Sequence, residues 1–252
     1  MTDNTSSAAL NRPFFCDLIL AHRCFFHCQM CTQWQAPAGL PSLSFDSCRK
    51  FIDQLAEFAH RTDVNIMGGE PFLFDWLLPL CDYIADKGLN PIVTTNAYLI
   101  DEAMAKKIAH SRLKSLAVSL DAVTPSVHDT IRGMAGAHER ALNALELLKK
   151  HRRKDQMLIL VPLILNSNAQ EMPSLLQWVK DTGAADEVSF LALVESGLVS
   201  PKEGWFRKPE YNTIWPQDSQ QTSAVIDELI RMKQRGFPVG NPGAQLNAFK
   251  QY

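Results

Sequence analysis

Residues 17–31 read Asp17-Leu-Ile-Leu-Ala21-His-Arg-Cys24-Phe-Phe-His-Cys28-Gln-Met-Cys31. The first five form an apolar run of strand length, and three thiols at a three-then-two spacing follow at once. Five further β-rich runs recur downstream, at 64–67, 91–95, 115–120, 157–165 and 188–193. The intervening segments 44–60, 74–87, 101–110, 137–153, 170–181 and 222–235 carry helical periodicity. In 44–60 the spacing selects Phe51, Ile52, Leu55 and Phe58 as the apolar set, with Ser44 or Asp46 as the cap. Gly88, Gly183 and Gly236 sit where the helices stop. Strict alternation of strand and helix requires a parallel sheet with right-handed crossovers. The fold class is therefore α/β. Six units are too few to close an eight-fold barrel, so the expected architecture is a partial (β/α)6 TIM-like barrel. Pro162 predicts a bulge or an early end in the fifth strand.

Chemistry in such folds gathers beyond the carboxyl ends of the strands, which is where the unusual residues fall. Cys24, Cys28 and Cys31 can converge from a short loop as soft ligands for an iron–sulfur cluster or for zinc. Three thiolates leave one cluster iron open. A zinc site completed by His27 or a remote residue is the competing reading. After the second strand comes Gly68-Gly69-Glu70-Pro71. There the glycines allow close backbone approach, Glu70 adds an acceptor and Pro71 stiffens the turn.

Composition narrows the class. Of 252 residues, 46% are hydrophobic and 21% charged, as in ordinary globular chains. Twenty-five Lys+Arg against 27 Asp+Glu give a net charge of −2, with no basic excess for nucleic acid or an anionic membrane. No apolar run is long enough to span a bilayer, and the polar start is not a secretory signal. Cytoplasmic location is expected. All six cysteines lie in the first third of the chain, a pattern of metal ligation rather than of disulfide stapling.

With these loops in this order, the chain resembles the radical S-adenosylmethionine (radical SAM) superfamily. That family's cluster loop is Cys-x-x-x-Cys-x-x-Cys, and its second strand ends in a Gly-Gly-Glu-Pro-like turn. Thr95-Asn96-Ala97, Ser119-Leu120-Asp121 and the stretch from His128 to Gly133 match in register, so the resemblance covers roughly residues 15–193. It implies that Cys24, Cys28 and Cys31 ligate three irons of a [4Fe–4S] cluster, and that the fourth iron chelates S-adenosylmethionine. The turn formed by Gly68, Gly69, Glu70 and Pro71 would receive the methionine amino group. Ser119 and Arg132 would hold ribose and carboxylate, with Asn96 nearby, and the backbone near Leu191 would touch adenine. Where the family has an aromatic residue before the third cysteine, this chain has Met30, whose polarizable thioether can fill the gap. A flavodoxin- or ferredoxin-like one-electron reductant is the implied partner.

Other residues have plainer readings. Buried structural thiols are the default for Cys16, Cys48 and Cys81. Asp121 binds ribose or substrate or caps a turn, and His128 serves local structure. Trp34, Trp205 and Trp215 are expected to pack partly buried rather than to line an entrance. The basic run 149–154 reads as a solvated helix end. Expected boundaries are a tail over 1–14, the core barrel over 15–195 and a C-terminal segment with a last helix over 196–252. Many relatives carry a cysteine-rich SPASM or twitch extension, and this chain has no cysteine after Cys81. A core whose extension is missing is favoured over a compact core-only enzyme. A peptide or protein substrate is expected, with small-metabolite or cofactor biosynthesis second and a non-catalytic metal-binding or regulatory module third.

Overall fold

Strands buried on both faces need helices on the outside, and the chain supplies one before each return to the main sheet. The computed structural model describes residues 12–37, 39–195 and 202–250. Its strands are β1 (Phe15–Ile19), β2 (Asp63–Met67), β3 (Asn90–Thr95), β4 (Ser115–Val118), β5 (Met157–Leu160), β6 (Leu163–Ile164), β7 (Glu187–Val188) and β8 (Leu191–Ala192). The sheet runs β1-β2-β3-β4-β5-β7, every neighbouring pair parallel, and β6 pairs with β8 in parallel beside it. This is the partial (β/α)6 barrel. The fifth strand stops at Leu160, because Pro162 has no N–H to donate; its carbonyl accepts from Leu191 N–H at 2.9 Å instead.

The helices are α1 (Phe45–Phe58), α2 (Leu77–Asp86), α3 (Glu102–His110), α4 (Pro125–Arg132), α5 (Ala137–His151), α6 (Met172–Thr182), α7 (Ser219–Gln234) and α8 (Gly243–Phe249). Ser44 caps α1 by accepting from Ser47 N–H at 3.1 Å, and Asp101 caps α3 by accepting from Met104 N–H at 2.8 Å. The buried stripe of α1 is Cys48, Ile52 and Leu55; Phe51 and Phe58 lie on its outer side, 38% and 53% exposed. Phe51 is one position from Ile52 and so turns about 100° away from it. Cys48 and Cys81 are fully buried, whereas Cys16 is only half-buried because β1 is an edge strand.

Helix α4 has no counterpart among the periodic segments. It is short, opens with Pro125 and stops at Gly133, whose φ is 60°. After β8, turns at Trp205–Arg207 and Pro209–Tyr211 lead to α7, which buries Val225, Ile226 and Leu229 in the main core. Trp205, Tyr211 and Ile214 form a second apolar cluster with Ile131, Leu165 and Leu193. Residues 1–11 of the expected tail and 196–201 of the C-terminal segment lie outside the described residues.

Candidate functional site

The loop after β1 is held from two sides by backbone, the turn after β2 and helix α4. Gly69 N–H donates to Ala21 O at 2.7 Å, Glu70 N–H to Arg23 O at 3.0 Å and Gln29 N–H to Ile131 O at 2.9 Å. Three glycines make this contact possible. A Cβ at Gly68 would lie 2.6 Å from Ala21 O, one at Gly69 1.8 Å from Arg23 O, and one at Gly133 2.3 Å from His27 O. The cysteine loop thus rests in a cradle that only glycine can build.

Two of the thiols have a backbone donor directed at the sulfur: Phe26 N–H points to Cys24 Sγ at 3.5 Å and Gln33 N–H to Cys31 Sγ at 3.4 Å, while the Arg132 guanidinium acts on Cys28 as a nearby positive charge. Burial pushes the Cys28 thiol up to about 11, partly offset by Arg132, and burial also raises Cys24. Metal uptake here would therefore release protons. Among the described residues no three His, Cys, Asp or Glu side chains converge tightly enough to hold a single ion. A cubane cluster places each thiolate on a different iron and does not require that convergence. The donor set fits such a cluster better than it fits zinc.

Beside the thiols opens a cleft of about 850 Å³ of empty space, part of it continuous with solvent. Cys24, Cys28, Cys31, Met30, Gly68 and Gly69 line it. So do Asn96 and Ser119, just beyond β3 and β4, Leu191 at the start of β8, and Arg132 at the end of α4. Glu70 and Pro71 do not. The Glu70 carboxylate turns inward, accepting from Phe72 N–H at 3.0 Å, Thr95 Oγ1 at 2.7 Å and Asn96 N–H at 2.9 Å. Burial raises its pKa against the pull of these donors. Thr95 Oγ1 also accepts from Ala97 N–H at 2.9 Å, steadying Ala97 at φ 60°, where a side chain costs about 1–2 kcal/mol. Glu70 is a brace between the β2 and β3 loops, and Pro71 begins a buried turn.

Asp121 is fully buried and does not reach the cleft either. Its Oδ2 lies 2.5 Å from Arg132 Nε, and its Oδ1 accepts from Leu163 N–H at 3.0 Å. Its own N–H donates to His128 Nδ1 at 3.0 Å, which fixes that ring nitrogen as an acceptor and the imidazole as neutral. Burial lowers His128 to about 4. Asp121 therefore positions Arg132.

Sequence reasoning passed over Thr94, Met67, Leu163 and Gln33 and expected Trp34 to pack; all five line the cleft. Thr94 could be found from the period of two, lying two residues before Asn96. Gln33 and Trp34 follow the cysteines in a non-periodic loop. Trp34 is 39% exposed at the cleft and donates to Cys28 O, contrary to a packing role; Trp205 and Trp215 pack in the second apolar cluster, which Met30 also contacts.

The sequence pattern of the Radical SAM superfamily matches residues 18–179. The AdoMet-dependent heme synthase of Methanosarcina barkeri is 30% identical over 182 residues, 70% of this chain and 50% of that protein. The antilisterial bacteriocin subtilosin biosynthesis protein AlbA of Bacillus subtilis is 28% identical over 174 residues, 68% of this chain and 38% of that protein. The crystal structure of Streptococcus suis SuiB bound to S-adenosylmethionine superposes with a TM-score of 0.68 and 15% identity, covering 90% of this chain and 49% of that one. That likeness concerns the fold alone. The chain spans about half the length of the first two curated relatives it matches.

Proposed function

The chain belongs to the radical SAM superfamily, whose cofactors are a [4Fe–4S] cluster and S-adenosylmethionine, and we propose that it acts on a peptide or protein by abstraction of hydrogen. When bound and reduced, the cluster supplies the electron that splits S-adenosylmethionine into methionine and a 5′-deoxyadenosyl radical. In this reading Cys24, Cys28 and Cys31 hold three irons. Gly68 and Gly69 bring backbone against the methionine end, while Arg132 and Ser119 hold carboxylate and ribose, with Asn96 beside them. Met30 and Leu191 flank adenine. The observation that carries the reading is that ten of the residues singled out from sequence line one cleft.

The peptide substrate is supported by similarity to AlbA, a bacteriocin biosynthesis protein, and to the mycofactocin maturase of Mycobacterium ulcerans, 32% identical over 139 residues. SuiB, of like fold, has been solved bound to its precursor peptide SuiA. Small-metabolite chemistry is the second reading, favoured by the heme synthase and by the GTP 3′,8-cyclase of Sulfurimonas denitrificans, 27% identical over 205 residues. A flavodoxin- or ferredoxin-like protein is the proposed reductant, and the cytoplasm the proposed location. Among the described residues no helix is long and apolar enough to cross a membrane.

The test supplies the reduced, reconstituted protein with deuterated peptides encoded beside its gene and, separately, with deuterated porphyrins and nucleotides. Deuterium appearing in 5′-deoxyadenosine from the peptides supports the reading. Deuterium arriving only from the small molecules overturns it.

A further inference from the structure

We propose that Gln33 supplies the side-chain acceptor for the amino group of S-adenosylmethionine, a role that sequence alone assigns to the turn containing Glu70. The proposal rests on the radical SAM reading above. Gln33 Oε1 is the one buried side-chain nitrogen or oxygen without a hydrogen-bond partner among the described residues. A buried acceptor of this kind is destabilising unless a ligand or a water satisfies it. Gln33 lines the cleft, and its N–H bond to Cys31 Sγ holds it in step with the cysteine loop.

The partner must be a donor, and the cofactor offers a charged one in its ammonium group. Glu70 does not line the cleft, and its oxygens turn away to accept from Phe72, Thr95 and Asn96. Asp121 is likewise held by Arg132 and Leu163. Position agrees with this assignment. Met30, the expected adenine neighbour, packs with Leu163 beside the second apolar cluster. Gln33 instead shares with Cys24 and Trp34 the wall towards an outer hollow bordered by His22 and Arg23. Glu70 N–H donates to the carbonyl of Arg23, the residue before Cys24, at 3.0 Å, so this is the wall next to the glycine turn where the methionine end is expected.

The experiment compares wild type, Gln33→Leu and Gln33→Glu after anaerobic reconstitution, with iron content measured first. Binding of S-adenosylmethionine is then titrated by equilibrium dialysis and by the change in the electron paramagnetic resonance spectrum of the reduced cluster. Gln33→Leu is expected to weaken binding about tenfold, the loss of one charge-assisted hydrogen bond, with the iron content unchanged. Gln33→Glu, which keeps an acceptor, restores binding. The analogue with hydrogen in place of the amino group should bind wild type and Gln33→Leu equally. Equal affinity of wild type and Gln33→Leu for S-adenosylmethionine overturns the proposal, as does a loss that persists in Gln33→Glu or with the analogue. Failure of wild type itself to bind iron or S-adenosylmethionine contradicts the family reading instead.

Discussion

Arg132 Nε lies 2.5 Å from the buried Oδ2 of Asp121. The same guanidinium lies within electrostatic reach of Cys28. The carboxylate at the end of the β4 loop thereby sets the position of a cation at the cluster loop. Asp121→Asn leaves that cation without its counter-charge in a dry site, which costs about 3–5 kcal/mol. Urea denaturation of the protein before iron loading measures the loss. A difference within about 1 kcal/mol of wild type, the range of exposed pairs, would remove Asp121 from this role.

Gly69 faces Arg23 O so closely that a methyl group cannot be accommodated without moving the loop. Gly69→Ala is expected to abolish cluster assembly. The control is Gly136→Ala, which unlike Gly69 sits at positive φ but has nothing within 4 Å of its Cβ. There only backbone strain of about 1–2 kcal/mol is added. Iron content after reconstitution checks the contrast, and equal iron in the two variants would refute the cradle.

His128 gives a pH signature. Burial holds its folded pKa near 4 against an ordinary 6.5, so the unfolded chain takes up a proton that the native ring refuses. This stability is complete above pH 6.5 and is lost as pH falls towards 4, by up to about 1.4 kcal/mol per pH unit. Replacing the ring by a non-titrating amide in His128→Gln should narrow the difference between pH 7 and pH 5 by about 2 kcal/mol. Parallel pH profiles for the two proteins would show that the ring is not the titrating group.

Glu70→Gln puts an NH2 group where three donors now converge, so at least one of them loses its acceptor. A cost of about 1–3 kcal/mol follows, readable by thermal unfolding and by faster hydrogen exchange at the Asn96 and Ala97 amides. Affinity for S-adenosylmethionine should fall less than in Gln33→Leu. The reverse order would return the amino-group role to Glu70.

The alternation of strand and helix was legible because parallel strands covered on both faces read as unbroken apolar runs, and because helix stops at Gly88, Gly183 and Gly236 are local chemistry. Eight of the ten cleft residues were legible because they follow strand ends; Arg132, at the end of α4, and Leu191, at the start of β8, were legible only through the family resemblance. Glu70 was not, since its partners Thr95 and Asn96 lie on another strand and no local pattern reports them. Helix α4 escaped because eight residues behind Pro125 are too short for a period to stand out. Gln33 escaped for another reason: its only mark is an acceptor left unpaired by the folded structure.

The most direct measurement is anaerobic reconstitution of the full chain with iron and sulfide, then reduction with S-adenosylmethionine present and assay for 5′-deoxyadenosine. Wild type is predicted to bind about four irons per chain and to form 5′-deoxyadenosine, both lost in Cys28→Ala. A protein that takes up zinc in preference to iron, or a full cluster that never cleaves the cofactor, would contradict the radical SAM activity proposed for this chain.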